Sequence, residues 1–259
     1  MTQPHILVLR APGTNCDHET VFAFEQAGGQ VELVHINQLL ENAQAIAQFQ
    51  ILCLPGGFSY GDDIAAGRIL ANQIRHHLVD VLHQFKDAGK LVLGICNGFQ
   101  ILIKSGLLLE SDKDGSPLTL TWNDSDRFED RWVNLASSGQ NCVFLNGADY
   151  LYLPVAHAEG KVVFRDHAAL TRLQDQGQLV LRYTSAPGVQ NGSVPYPANP
   201  NGSQANVAGV CNSSGRVFGL MPHPERFIDP THHPRWTRGS LSDVGDGMQI
   251  FRNAIRYFE

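Results

Sequence analysis

An α/β protein with a largely parallel central sheet, flanked by helices and extended by antiparallel strands in its C-terminal half, is what this 259-residue sequence predicts. Three observations predict it. The first hundred residues alternate short apolar runs with helix-length amphipathic segments, the pattern of parallel strands joined by helical crossovers. After Ile95 the apolar period changes from strand-like to helical at a glycine-bracketed turn. From about Leu107 the apolar runs become shorter and are separated by polar turns.

The parallel strands are expected at His5 to Arg10, Val31 to Ile36, Ile51 to Leu54 and Leu91 to Ile95. Between them, residues 18–27 read as a helix closed by Gly28 and Gly29. Residues 69–88 place Leu70, Ile74, Leu78, Val81, Leu82 and Phe85 on one stripe before Gly89. Further strands are expected at Trp132 to Ala136, Cys142 to Leu145, Tyr150 to Val155, Lys161 to Phe164 and Leu179 to Thr184, added antiparallel to the same sheet. Asp166 is placed to cap a helix over 167–174. Pro187 to Asn206 is a Gly-, Pro-, Asn- and Ser-rich loop long enough to have a function or to be mobile. Met248, Phe251, Ile255 and Phe258 have the spacing of a core-facing helix.

Composition narrows the function. The chain is 43% hydrophobic and 17% charged, so it can bury a substantial core. A formal charge of -6 and the lack of clustered Lys and Arg argue against a nucleic-acid surface. The five cysteines are odd in number, far apart and without a Cys-x-x-Cys pair, which favours a reducing compartment over a disulfide framework or a zinc site. The opening "MTQPHILVLRAPG" lacks the charge and apolar run of a secretory signal, and no stretch approaches the roughly 18 apolar residues of a membrane helix. A cytoplasmic location is expected. The Asn-x-Ser triplets at Asn191 and Asn201 then read as turns rather than glycosylation acceptors.

Reactive groups in an open parallel sheet gather beyond the carboxyl ends of the strands, which directs attention to the loops after Arg10, Leu54 and Ile95. In "GKLVLGICNGFQIL", Gly94 and Gly98 flank Cys96 where strand gives way to helix, as in a nucleophile elbow. The start of the helix near Asn97 favours thiolate over thiol. Packing is the competing reading, because a free cysteine is among the most often buried residues.

Of the eleven histidines, His223 has the most distinctive setting. In "GLMPHPERF" it lies between Pro222 and Pro224, which restrict the backbone on both sides. In an extended segment, Glu225 would leave on the same side and accept the Nδ1 proton, leaving Nε2 toward a sulfur. The competing reading is a turn with a surface ion pair between Glu225 and Arg226. His76 with His77, and His232 with His233, are less well placed. His18 in "GTNCDHE" reads as part of a loop and helix cap rather than a metal ligand. After the third strand, Gly56 and Gly57 have bare backbones. The N–H of Gly57 with that of Asn97 could serve as oxyanion donors, although Gly-Gly is also a common turn.

Taken together these residues resemble the class I glutamine amidotransferases, whose triad runs Cys, His, Glu along the chain. "LGICNGFQ" is similar to the family's Gly-x-Cys-x-Gly-x-Gln segment and "PHPE" to its His-x-Glu segment. "PGTNCD", "LPGGFSYGDDIAAGRIL", "VAHAEGK", "YPANPNGS" and "GLMPHPERF" resemble members that feed ammonia to a separate synthetase in purine biosynthesis. The resemblance covers essentially the whole chain and implies one amidotransferase domain over residues 1–259, with a flavodoxin-like sandwich fold.

It implies Cys96 as nucleophile, His223 as acid and base, Glu225 as the orienting carboxylate, and Gly57 and Asn97 as oxyanion hole. Gln100, one turn past the nucleophile, would help hold substrate, or would serve as a helix-capping or core hydrogen bond. Asp62, Asp63 and Arg68 would dock the partner, or form a solvated helix start. The implied substrate is L-glutamine, hydrolysed to glutamate and ammonia. The implied partners are the synthetase subunit and a possible small third subunit. No metal or cofactor is expected on this chain. ATP and magnesium are expected on the synthetase, since no Gly-x-x-x-x-Gly-Lys-Ser/Thr loop is present here. Two other readings stay open: a cysteine amidase or peptidase of the same fold, and a non-catalytic binding module that keeps the elbow as architecture.

Overall fold

The computed structural model describes residues 3–138, 141–187, 192–238 and 243–259. Strands β1 (His5–Arg10), β2 (Gln30–His35), β3 (Ile51–Leu54) and β4 (Leu91–Ile95) pair in parallel in the order β2-β1-β3-β4. Every residue of β3 and β4 is buried, which is why both read as continuous apolar runs rather than as alternation. Helices α1 (Asp17–Gln26) and α2 (Ile36–Glu41) flank β2 in the chain, and α2 is an element the sequence reading missed.

One uninterrupted helix was expected over 69–88. The chain instead forms α3 (Arg68–Gln73), a wider π turn over Ile74–Leu78, and α4 (Val79–Asp87). The apolar residues Leu70, Ile74 and Leu78 recur every four positions, a spacing that drifts by about 40° per step around an ideal α-helix. The wider turn takes up that drift, and all three side chains are buried.

Helix α5 (Asn97–Ser105) follows β4 directly. The second half contributes β5 (Leu118–Trp122), β6 (Glu129–Ser137), β7 (Tyr150–His157), β8 (Glu159–Phe164), α6 (His167–Asp175), β9 (Leu181–Thr184), β10 (Val207–Cys211), β11 (Val217–Leu220) and α7 (Met248–Arg256). β11 pairs in parallel with β4, and β10, β9, β6 and β7 follow antiparallel, giving a nine-stranded mixed sheet.

Two expectations need correction. β8, with the unforeseen β5, forms a separate two-stranded sheet rather than joining the main one. The run from Cys142 to Leu145 is a 3₁₀ turn over Val143–Leu145, not a strand. Asn253 of α7 donates to the carbonyls of Phe144 (2.9 Å) and Asn146 (2.8 Å), so this segment meets its polar demand without a ladder.

Other readings hold locally. Asp166 caps α6 by accepting from the Ala169 N–H at 2.7 Å. α7 buries Met248, Phe251 and Ile255, and Phe251 stands edge-on to Phe24 of α1 with centroids 4.9 Å apart. Asn201 is fully buried and donates to the Gly160 carbonyl (2.9 Å) and the Tyr183 hydroxyl (3.1 Å), which is incompatible with carrying a glycan. Asn191 lies outside the described residues, as do residues 188–190 of the long loop. From residue 192 onward that loop buries Asn199, Asn201 and Ser203. No helix among the described residues is long and apolar enough to cross a membrane.

What places the site is the register. Ile95 pairs with Leu220 and Leu54 with Gly94, so β3, β4 and β11 end at one level and release their loops together. α5 lies unusually close to these strands. A Cβ on Gly98 would fall 1.8 Å from the Leu54 carbonyl oxygen, and one on Gly219 would fall 2.1 Å from the Phe99 ring.

Gly98→Ala is therefore expected to destabilise the fold by about 1–3 kcal/mol through overpacking. Gly106→Asn, at a left-handed helix end with open space around it, should retain most of the stability. Denaturant midpoints of the two variants distinguish these outcomes, and a silent Gly98→Ala would contradict the packing described.

Candidate functional site

Cys96 joins β4 to α5 with φ 51° and ψ -105°, outside the regions that side-chain-bearing residues ordinarily occupy. Its N–H donates to the Leu220 carbonyl (2.8 Å) and its carbonyl accepts from Gln100 N–H (3.1 Å), which fix the turn from both ends. The sulfur lies 3.8 Å from the Ala156 carbonyl of β7. Only 5% of the residue is exposed.

His223 arrives from β11. Its N–H donates to the Pro154 carbonyl (2.8 Å), which belongs to β7, an edge strand where a proline is tolerated. The segment after it is not extended, as the sequence reading supposed: Pro224–Arg226 form a 3₁₀ turn, with Pro224 in the first position that its ring favours. The turn still brings Glu225 back to the ring, with Oε1 2.6 Å from Nδ1. Burial opposes charge on the imidazole, but the Glu225 carboxylate and the Cys96 sulfur outweigh it and hold the His223 pKa well above its ordinary value. Nε2 is buried and without a hydrogen-bond partner among the described residues. Cys96, His223 and Glu225 are thus brought together from two strand ends.

The Gly56–Gly57 loop is clamped by bonds from Phe58 N–H to the Gly13 carbonyl (3.0 Å) and from Cys16 N–H to the Gly56 carbonyl (3.3 Å). Gly57 has φ 137°, and a Cβ there would lie 2.6 Å from the Asn15 nitrogen, so only glycine fits. The Gly57 N–H makes no hydrogen bond within the described protein. The Asn97 N–H belongs to the free set at the start of α5. The Asn97 side chain staples the two loops together. Its Oδ1 accepts from the Ser59 hydroxyl (2.7 Å) and N–H (3.3 Å), and its Nδ2 donates to Asp62 (3.0 Å) and Gln100 (2.9 Å).

Gln100 is occupied at both ends: Oε1 accepts from Asn97, and Nε2 donates to the Glu159 carbonyl. The structure places it as a tie between α5 and the start of β8. Asp62 also turns inward, accepting from the Gly67 N–H at 3.0 Å, while Asp63 and Arg68 are exposed. Burial raises the Asp62 pKa against those hydrogen bonds.

Sequence reasoning missed three participants. His157, on β7 next to Ala156, is buried and meets Asn123 Oδ1 through Nδ1 at 3.1 Å. Asn123 Nδ2 donates to the carbonyls of Arg127 and His157, so Oδ1 is the acceptor and His157 carries its proton on Nδ1. Burial, aided by the charge of His223, lowers the His157 pKa to about 3.

Cys16 stands at the start of α1, where the cap reading placed it, but its side chain makes no cap bond and lies 4.0 Å from His223 Nδ1. Arg226 pairs with Glu19 (3.0 Å) instead of Glu225 and donates to the Cys16 sulfur at 3.2 Å. Donor atoms of Cys16, His223 and Glu225 lie within 4.8 Å of one another, a spacing a metal ion could use. The guanidinium already on that sulfur opposes a cation. Only the general rule that loops after parallel strands converge pointed toward Cys16; nothing local to "GTNCDHE" does.

A family model described as the CobB/CobQ-like glutamine amidotransferase domain matches residues 3–258. Phosphoribosylformylglycinamidine synthase subunit PurQ of Dehalococcoides mccartyi is 49% identical over 258 residues, covering 99% of this chain and 98% of that protein. The subunit of the same name from Archaeoglobus fulgidus is 42% identical over 271 residues, covering 98% and 97%. Among solved structures, a chain in that of PurLQS from Thermotoga maritima superposes with a TM-score of 0.74 at 32% identity, covering both chains fully.

The two buried histidines give opposite pH signatures. His157 is held neutral, so its contribution to stability is complete above the unfolded value near 6.5 and is lost as pH falls from there toward 3. His223 contributes stability that is fully present below 6.5 and lost as pH rises through its raised value. Between pH 7 and 5 the His157 contribution should fall by about 2 kcal/mol. Urea unfolding at both pH values should show this extra loss in the wild type and not in His157→Gln; equal losses would contradict the neutral assignment.

Proposed function

The chain belongs to the CobB/CobQ-like glutamine amidotransferase family, and from that premise we propose that it is the glutaminase subunit of a phosphoribosylformylglycinamidine synthase. The observation that carries the mechanism is Cys96 on a strained strand-to-helix turn beside a buried imidazole whose Nδ1 is 2.6 Å from Glu225. In this reading residues 1–259 act as one amidotransferase domain in the cytoplasm. The chain works with a synthetase subunit and a small third subunit, as similarity to the Thermotoga PurLQS structure suggests. ATP and magnesium act on the synthetase, and this chain uses neither metal nor cofactor.

The Cys96 thiolate attacks the carboxamide carbon of L-glutamine and forms a C–S bond. The oxyanion takes hydrogen bonds from the N–H groups of Gly57 and Asn97. The His223 imidazolium, held by Glu225 at Nδ1 in the orientation that presents Nε2–H, gives its Nε2 proton to the nitrogen as the C–N bond breaks, and ammonia leaves. Water then attacks the glutamyl thioester while His223 takes its proton. Glutamate departs and the thiolate is restored. Ammonia released as the neutral base stays nucleophilic toward the formylglycinamide ribonucleotide on the synthetase. Hydrolysis without an acceptor would waste glutamine, so turnover is expected to be low until the partner and its substrates are bound.

An electrophilic glutamine analogue should label Cys96 alone. Cys96→Ala should abolish glutamine-dependent synthesis by the assembled complex while leaving synthesis from added ammonium intact. His223→Asn should lower kcat by about 10²–10⁴-fold. Labelling elsewhere, or glutamine-dependent turnover in Cys96→Ala, would refute the assignment.

A further inference from the structure

Behind the imidazole lies a group of side chains that the reaction above does not use. Cys16 is 1% exposed, and burial pushes its thiol up to about 11, so it remains protonated at neutral pH. Its S–H points to Asn15 Oδ1 (3.3 Å) and its lone pairs face the Arg226 guanidinium at 3.2 Å. Arg226 is itself held by Glu19 at 3.0 Å. A Cβ on Gly56 would lie 2.8 Å from His223 Cε1 and 3.1 Å from the Cys16 sulfur, so the ring, the sulfur and this backbone are in mutual contact.

We propose that Arg226 and Cys16 are positioning residues for the triad: the guanidinium, docked on Glu19, presses the Cys16 sulfur against the His223 ring and sets both its orientation and the charge of its surroundings. This rests on the glutaminase reading. Glu225 has one oxygen on His223, and its second, Oε2, is buried with no hydrogen-bond partner among the described residues. The Arg226 guanidinium interacts electrostatically with this carboxylate without bonding to it, adding positive charge beside that of His223. A direct Arg226–Glu225 bond would supply that charge but would compete with the imidazole for the carboxylate. Routing the contact through a neutral, polarisable sulfur keeps the charge close and leaves Oε1 to His223.

The groups facing the dyad are few. Glu225 and Arg226 come from its own turn, Cys16 from the loop before α1, and Cys96 from the start of α5. The neutral His157 comes from β7, and the thiol of Cys53 of β3 is raised by burial and by the Glu225 carboxylate, so it too is uncharged. Among these Arg226 is the only group besides His223 that carries positive charge.

The test is the pH dependence of Cys96 alkylation by an electrophilic glutamine analogue, measured on the full chain assembled with its synthetase partner and paired with thermal melting of the chain. Arg226→Met should move the limb at which the Cys96–His223 pair loses its proton up by about one pH unit, making the reaction about tenfold slower on the acid side of that limb. Cys16→Ala should move it the same way by less, and Arg226→Lys should restore most of the wild-type profile. Glu19→Gln, which loosens Arg226 without touching the dyad, supplies the comparison if Arg226→Met does not fold.

Profiles of Arg226→Met and Cys16→Ala that superimpose on the wild type, whatever their melting temperatures, would overturn the proposal. A wild-type chain that is not labelled at Cys96 would overturn the glutaminase reading instead.

Discussion

The structure depends on one constraint: β4 and β11 pair in parallel and in a register that sets Ile95 against Leu220. Cys96 and His223 are far apart in the chain, and no local preference could bring them together. Once the two strands end at the same height, the residues that follow have little room to do anything but meet. The hydrogen bond from Cys96 N–H to the Leu220 carbonyl extends the ladder into the turn, so sheet pairing and site geometry are one continuous network. β7 closes it from the far edge of the sheet, giving the Pro154 carbonyl to His223 and setting the Ala156 carbonyl against the Cys96 sulfur.

The parallel half of the fold was legible because its signals are local. Fully buried strands such as Ile51–Leu54 and Leu91–Ile95 must be apolar throughout, and the crossover helices carry a stripe. β10 and β11 escaped notice because Val207–Cys211 and Val217–Leu220 are short, and each gives up a side chain to a glycine for close packing. The 3₁₀ turn at Val143–Leu145 has strand-like composition, and its partners, among them Asn253 more than a hundred residues on, are distant in the chain. The π turn follows from a four-residue spacing that was visible but read as an ordinary helix.

In the site, Cys96, His223 and Glu225 could be picked out because each carries its geometry beside it, as flanking glycines or flanking prolines. Cys16, Arg226 and His157 carry no such signature. Arg226 was read against its sequence neighbour Glu225, yet its partner is Glu19 on another helix. His157 looked like one more histidine until Asn123 and burial fixed its proton on Nδ1. These are tertiary facts, and a one-dimensional reading supplies the candidates without the pairing.

The backbone of Cys96 is held where a residue with a side chain is least comfortable, and the bonds at its two ends prevent it from relaxing. Such a conformation costs on the order of 1–3 kcal/mol, comparable to a sizeable share of a domain's whole stability. Selection for durability alone would place glycine there. A cysteine at this point trades durability for the reactivity that the proposed glutaminase role requires, with the surrounding sheet supplying the stability that the turn gives up.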